Sequence, residues 1–165
     1  MTDKQPSTAP DEASRPAGAL GLLLDLVGFN LRIGYNRAAS LFSRSFTDVD
    51  IAPIQFAALE YVANNPGCSQ KDMATDIGSS AASLVSPLER LERHGWITRH
   101  RGTQDRRRAR VHLTPEGHDM LRQARARVRR VDETLTSNLT DRETKQLLRL
   151  LQKLRGPEPG SEGQA

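Results

Sequence analysis

Features that mark metalloproteins, secreted proteins and membrane proteins are scarce in this sequence. Its 165 residues include one cysteine, Cys68, so no internal disulfide can form, which fits a reducing cytoplasm. The four histidines have neither cysteine partners nor the spacing of metal ligands. No apolar run reaches the roughly 18 residues of a membrane span, and residues 1–18 lack the apolar core of a signal peptide. We expect a cytoplasmic protein without metal, cofactor or membrane contact.

Catalytic motifs are missing as well. No nucleophile with a neighbouring base and no pair of carboxylates lies on an identifiable motif, so we do not expect an enzyme. The low apolar fraction, 36%, suits an extended helical dimer better than a thick globular core. The net charge of +4 indicates a polyanionic partner only weakly, because 20 of the 24 basic residues are arginines and a GC-rich genome gives the same bias.

The distribution of charge is more informative than its total. Six arginines lie between Arg99 and Arg110, with Asp105 as the only acid. Residues 102–108 separate two strand-like segments, which predicts a β-hairpin whose tip reaches a phosphate backbone or a minor groove. Asp105 is expected to order the tip, since a carboxylate accepts paired hydrogen bonds from guanidinium groups. The expected DNA contacts in the tip are Arg106, Arg107 and Arg108, and a solvated charged loop is the alternative.

Helical periodicity dominates the rest of the chain, which predicts a mainly α protein with a small β-hairpin wing. Capping residues and glycines place six helices: from about residue 19 to 46, from Pro53 to about Asn64, from Ser69 to about Gly78, from Ser79 or Ser80 to Gly95, from Thr114, and from Thr140. Residues 1–18 and 156–165 are rich in Pro, Gly, Ser and acids and are predicted to be disordered tails.

The third and fourth predicted helices, joined by Ile77-Gly78-Ser79, suit a helix-turn-helix. One side of the fourth helix is apolar, comprising Ile77, Ala81, Leu84, Leu88 and Leu91. The opposite side is small or hydroxylated near its start, which allows a close approach to base edges, and arginines further along can pair with phosphates. The predicted DNA contacts of this helix are Ser79, Ser80, Ala82, Ser83, Ser86 and Arg90. An ordinary amphipathic surface helix is the alternative.

Three single residues needed separate interpretation. Pro87 lies inside the predicted fourth helix, where it would cost about 3 kcal/mol; we expect either a kink that re-aims the helix start or a tolerated kink without a DNA role. Cys68 is interpreted as a packed thiol rather than a redox sensor. Trp96 is interpreted as a core anchor beneath the wing.

The segment from Asp105 to Gly117 fits the pattern Asp-x-Arg-x5-Leu-Thr-x-x-Gly and resembles the MarR-type winged-helix regulators. Its matching residues are Asp105, Arg107, Leu113, Thr114 and Gly117, and Leu91–Ile97 resembles the end of that family's recognition helix and its first strand. The likeness covers about residues 19–155. Ala81 and Ala82 depart from it, because many members carry a longer polar residue and a proline there. This departure favours backbone contacts and DNA shape over direct base readout.

The resemblance implies a homodimer in which residues 53–113 form the winged helix-turn-helix core. Residues 19–46 and 114–155 would be dimerisation helices, the fourth helix would enter the major groove, and Arg107 would enter the minor groove. It further implies a regulator of a pseudo-palindromic operator, more often a repressor, released by a small anionic aromatic ligand.

The run Gly28–Arg32 looks like members that respond to aryl-CoA thioesters. The candidate ligand contacts are Asn30, Arg32, Tyr35 and Arg37, with surface or dimer ion pairs as the alternative role. Two other functions remain open: an architectural DNA-binding protein without an effector, and a protein-interaction module.

Overall fold

A computed structural model describes residues 20–101 and 109–156. The chain divides into two units, Met1–Asn36 and Arg37–Ala165. The described part of the first unit contains a 3-10 helix, Gly21–Asp25, and the start of helix α1, Val27–Ser45. Its large apolar side chains are exposed, except that of Phe29, which is half-buried.

The prediction of one unbroken first helix from residue 19 was wrong. Leu26 adopts an extended backbone, with φ −87° and ψ 119°, between the 3-10 helix and α1. The side-chain amide of Asn30 holds this break, donating to the carbonyl oxygens of Leu24 at 2.8 Å and Leu26 at 2.9 Å. The bond to Leu24 satisfies a carbonyl that a continuous helix would have paired with a backbone amide, whereas the Leu26 carbonyl also accepts from the Asn30 backbone amide at 3.1 Å.

The second unit contains the remaining elements. They are α2 (Pro53–Asn64), β1 (Cys68–Ser69), α3 (Gln70–Asp76), α4 (Val85–Arg93), β2 (Ile97–Arg101), β3 (Ala109–Leu113), α5 (Pro115–Leu135) and α6 (Asp141–Arg155). The predicted caps at Ser69 and Thr140 are confirmed. Ser69 accepts from the Asp72 amide, and Thr140 and Glu143 form a reciprocal capping box.

The strands form an antiparallel sheet in the order β1-β3-β2. β2 and β3 pair from Ile97↔Leu113 to Arg101↔Ala109, which confirms the two strands of the predicted hairpin. The hairpin tip, including Asp105, Arg106, Arg107 and Arg108, lies outside the described residues. Strand β1 was not predicted, because two residues are too few to show an alternating pattern.

Helix α4 begins later than the sequence indicated. Residues 81–84 form a turn, and the helix runs from Val85, not from Ser79 or Ser80. Pro87 is therefore the third helical residue, where a backbone amide has no partner within the helix in any case. The Leu88 amide makes its bond to Leu84 O at 3.0 Å. The cost of an interior proline does not arise, and the predicted kink was wrong.

The Leu-Thr-x-x-Gly part of the signature has a packing explanation. Leu113 ends β3, and the Thr114 hydroxyl donates to Gly95 O at 2.6 Å while accepting from the Gly117 amide at 2.9 Å. A Cβ on Gly117 would lie 1.9 Å from Trp96 O. Only glycine lets α5 start this close to the strand that follows α4.

The core lies among α2, α3, α4, the sheet and the first half of α5. Its fully buried large side chains include Leu59, Met73, Leu84, Leu88, Leu91, Ile97 and Leu121. Phe42 in α1 and Leu121 and Ala124 in α5 lie in the predicted dimerisation helices, but they belong to this core. Phe42 is buried and stacks on Phe46 with ring centroids 4.4 Å apart. The boundaries between dimerisation helices and core therefore lie inside α1 and α5.

Within residues 20–101 and 109–156, no helix is long and apolar enough to cross a membrane. The same residues hold no group of three or more His, Cys, Asp or Glu that could bind a metal ion.

Candidate nucleic-acid interface

The turn between α3 and α4 fixes where the recognition segment, residues 79–86, begins. Gly78 has a φ of +68°, a left-handed conformation that residues with a Cβ rarely adopt. Its amide bonds to Thr75 O at 3.2 Å and the Ser79 amide bonds to Ala74 O at 2.8 Å, the pair of bonds that ends a helix in a Schellman motif. The predicted turn at Ile77-Gly78-Ser79 is confirmed.

Three serines order the chain after this turn. The Ser83 hydroxyl lies 2.8 Å from the hydroxyls of both Ser79 and Ser80. Ser80 and Ser83 also cap each other: each hydroxyl accepts from the other residue's backbone amide at 3.1 Å. These bonds hold the segment in a defined shape before any partner binds.

Most of the predicted contacts in this segment are exposed. Ser80, Ala82, Ser83 and Ser86 are open to solvent, and Ser79 is half-buried. Ala81 was assigned to the apolar side, but it is exposed, because the helical period does not extend back before Val85. Its carbonyl accepts from the Gln70 side chain at 2.6 Å, which ties the segment to α3. The segment thus offers small side chains and hydroxyls to a partner.

The two arginines of α4 differ in whether they form an ion pair. Arg90, a predicted phosphate contact, forms an ion pair with Asp50 from the loop before α2. Arg93 is exposed and forms no ion pair within the part of the chain that the structure describes. Asp50 was not singled out from the sequence, because its partner lies 40 residues away.

Further side-chain bonds fix α4 and α3 on the core. Arg99 of β2 donates to Glu92 of α4, with 2.7 Å from Nε to Oε2. The Tyr61 hydroxyl donates to Asp76 at the end of α3 at 2.6 Å, and this bond raises the pKa of Tyr61 to about 12. These bonds therefore tie α3 and α4, the two helices that flank the recognition segment, to the rest of the core.

Helix α5 is fastened to the same core by two arginines. Arg125 makes paired bonds of 2.8 and 2.9 Å to Glu60 on α2, and Arg127 bonds to Asp48 at 2.5 and 2.8 Å. These hydrogen bonds from guanidinium groups lower the pKa of both carboxyl groups. The α5 arginines act in part as structural clamps.

Contacts with the rest of the chain hold the described residues on either side of the hairpin tip. Arg110 is exposed, and its guanidinium donates to Gly67 O at 3.0 Å, which adds to the pairing of β1 with β3. Trp96 packs against the core and stacks on His94 at 4.5 Å, which agrees with the anchor role predicted for it.

Cys68 is half-buried in β1 and packs against the core. Burial raises the pKa of its thiol, so little thiolate forms at neutral pH. This agrees with its interpretation as a packed thiol.

The four candidate ligand residues lie on α1, and the structure limits the hydrogen bonds that one of them, Asn30, can donate to a ligand. Both amide hydrogens of Asn30 are used by Leu24 and Leu26, so the side chain cannot also donate to a carboxylate in this arrangement. The Arg32 guanidinium lies 5.1 Å from the Phe29 ring centroid. Tyr35 and Arg37 are exposed.

Comparison with known proteins gives consistent matches along most of the chain. A family model described as MarR family matches residues 49–108. A Thauera aromatica protein named for transcriptional regulation of the hcr operon is 34% identical over 135 residues, 81% of each chain. The transcriptional regulator HosA of Escherichia coli is 30% identical over 105 residues, 64% of this chain and 78% of that protein.

One of the similar solved structures is a complex with DNA. The transcriptional repressor CouR, bound to a 23-mer DNA duplex, is 30% identical and superposes with a TM-score of 0.78. The match covers 86% of this chain and 99% of CouR.

Proposed function

The chain belongs to the MarR family of DNA-binding transcriptional regulators, and we propose that it is a homodimeric repressor whose DNA affinity is lowered by a small anionic aromatic ligand or its CoA thioester. The observation that carries the repressor assignment is the likeness to CouR, a repressor bound to DNA, over nearly all of that protein. We also propose a cytoplasmic location, because a transcriptional regulator must reach DNA.

The DNA-reading surface of this proposal has two parts. Ser80, Ala82, Ser83 and Ser86 approach the major groove, and Arg90 pairs with a phosphate. The exposed, hydroxyl-rich segment before α4 supports this part, since such side chains bind phosphates and base edges without steric hindrance. The second part is the hairpin tip, where Arg106 and Arg108 contact phosphates, Arg107 enters the minor groove and Asp105 orders them.

The proposed dimer rests on apolar surface that the chain leaves uncovered. No side chain of α6 is buried, and Leu147, Leu148, Leu150 and Leu154 are exposed. The first unit exposes a further set of leucines. Exposed clusters of large apolar side chains favour an interface, and a second copy with two-fold symmetry would read a pseudo-palindromic operator.

A mobility-shift experiment tests DNA binding and the wing together. The probe is the duplex flanking the protein's own gene. Wild type should shift it, and Arg107→Ala should weaken the complex roughly 5- to 150-fold, because about 1–3 kcal/mol is lost with a groove-inserted cation. Arg106→Ala and Arg108→Ala should weaken binding evenly across sequences. Full binding by all three folded variants would remove the wing from the interface.

Calorimetry tests the effector. Salicylate, ferulate, p-coumarate and their CoA thioesters are titrated into the protein, and the positive charges of Arg32 and Arg37 should favour an anionic ligand. Arg32→Ala and Arg37→Ala should weaken a ligand that binds, whereas Arg44→Ala, another α1 arginine, should not. A ligand must favour the DNA-incompetent state by about 1.5–3 kcal/mol to cause substantial release. Absence of binding below millimolar concentration would refute the aromatic ligand.

A further inference from the structure

The loop between α1 and α2, residues 46–52, presents two carboxylates to two different helices. Phe46 and Ile51 are buried and anchor the loop, while Asp48 and Asp50 point outward with side chains 59% and 66% exposed. Asp48 pairs with Arg127 on α5, and Asp50 pairs with Arg90 on α4. We name this segment the acidic loop.

The two ion pairs differ in how firmly each arginine is held. Arg127 also donates to Ser45 O at 3.2 Å, and its guanidinium lies 5.4 Å from the Phe46 ring centroid. Within the described residues, Arg90 has only the Asp50 carboxylate, and its side chain is 36% exposed. An exposed pair of this kind contributes little to folding, so Arg90 can exchange its partner at low cost.

Arg90 lies on the side of α4 that carries Ser86, four residues earlier and one helical turn away. On the proposed function, this side faces DNA. The Asp50 carboxylate already binds this guanidinium, so a phosphate that approaches Arg90 competes with Asp50 for it, and the nearby carboxylate repels the phosphate.

We propose that Asp50 is a positioning residue that competes with DNA phosphates for Arg90 and so limits the affinity of the recognition surface for any duplex. This inference rests on the proposed function, since it requires that α4 meets DNA. Because phosphate contacts carry no sequence information, Asp50 restrains operator and unrelated DNA by the same factor.

The test compares Asp50→Asn with Asp48→Asn. Both variants remove one negative charge from the same loop, but only the first releases Arg90. Fluorescence anisotropy measures the dissociation constants for the duplex flanking the gene and for an unrelated duplex of equal length. Asp50→Asn should bind both duplexes roughly two- to thirtyfold more tightly, the factor expected when one exposed ion pair in each protomer of the dimer no longer competes. Asp48→Asn should change both affinities much less.

The salt dependence separates release of Arg90 from a general change of charge. Asp50→Asn should steepen the slope of log Kd against log salt concentration by up to about 1.8, because each of the two protomers strengthens one phosphate contact. Arg90→Gln should weaken binding more in the Asp50→Asn background than in wild type. Urea midpoints of all variants show whether folding has changed, and the salt slope would not respond to a purely structural role.

Two results overturn the inference while leaving the proposed function intact. One is an equal gain for Asp48→Asn and Asp50→Asn. The other is a gain from Asp50→Asn that persists undiminished with Arg90→Gln. If wild type binds neither duplex at any salt concentration, the proposed function fails and this inference fails with it.

Discussion

The recognition segment and helix α6 are both exposed, yet they are exposed for opposite reasons. The segment carries hydroxyls that already bond to one another, as in the pairs of Ser83 with Ser79 and Ser80. Helix α6 presents leucines, among them Leu150 and Leu154, to water. A polar surface whose side chains hydrogen-bond to one another is stable without a partner. An apolar face exposed to water instead raises the free energy of the protein until the face is covered. On the proposed function, the first surface binds DNA reversibly and the second assembles a stable dimer.

The largest expected effect is on assembly through α6. In a two-fold interface, Leu150→Arg acts twice, and each lost burial of leucine costs about 1.5–3 kcal/mol, so dimer dissociation should increase by roughly 100-fold or more. Sedimentation velocity should show wild type at twice the 18.3 kDa chain mass and the variant at one chain mass. Gln152→Arg, an equal charge change on the same helix, should remain dimeric. A dimeric Leu150→Arg would show that α6 is not part of the interface.

A second substitution tests the close contact between the start of α5 and Trp96. Gly117→Ala places a methyl group against Trp96 O and should lower the free energy of unfolding by about 3 kcal/mol, because backbone cannot move aside cheaply. Gly34→Ala is the control: its added Cβ meets nothing within 4 Å, and alanine in a helix should stabilise by about 0.5–1 kcal/mol. Urea denaturation measures both. Equal midpoints for the two variants would contradict the close approach.

A smaller effect distinguishes a serine that orders the recognition segment from a serine that is proposed to contact DNA. Ser83→Ala removes the reciprocal cap with Ser80 and should cost about 1 kcal/mol of stability, together with some DNA affinity. Ser86 is exposed and makes no side-chain hydrogen bond within the described chain. Ser86→Ala should therefore reduce DNA affinity without moving the urea midpoint. A loss of stability from Ser86→Ala, or none from Ser83→Ala, would reverse these roles.

The smallest expected effect concerns pH and the clamp between α2 and α5. The hydrogen bond from Arg125 lowers the pKa of Glu60 below its ordinary 4.5, so the ionised clamp stabilises the fold above that pH. This contribution is lost as pH falls through the lowered pKa. In urea titrations between pH 7 and pH 3, wild type should exceed Glu60→Gln in stability at neutral pH, and the gap should close in acid. A gap that widens in acid would contradict the direction of the shift.

Local sequence signals predicted the elements where one chemical cue decides the structure. Thr140 with Glu143 predicted the start of α6, Gly95 predicted the end of α4, and the boundaries of the hairpin strands were confirmed. The start of α4 was misplaced because Ser80 and Ser83 cap a turn as readily as a helix, and periodicity alone cannot separate these states.

The remaining differences arise from contacts between distant segments. The Asp50–Arg90 pair, the short strand β1 and the burial of Phe42 depend on residues brought together by the fold. The side of α4 that we propose faces DNA could be chosen from its residue types, but the carboxylate beside its arginine could not be predicted. The same holds for Asn30, whose amide is taken up by a helix break that no local pattern marks.

The most direct test of a DNA-binding surface built on α4 and the wing is the salt dependence of wild-type affinity. The dissociation constant for the duplex flanking the gene is measured between about 50 and 200 mM salt. If the dimer makes 6–10 phosphate contacts, affinity should fall by roughly 10³- to 10⁵-fold over that range. Affinity independent of salt, or absence of binding at the lowest concentration, would contradict the account.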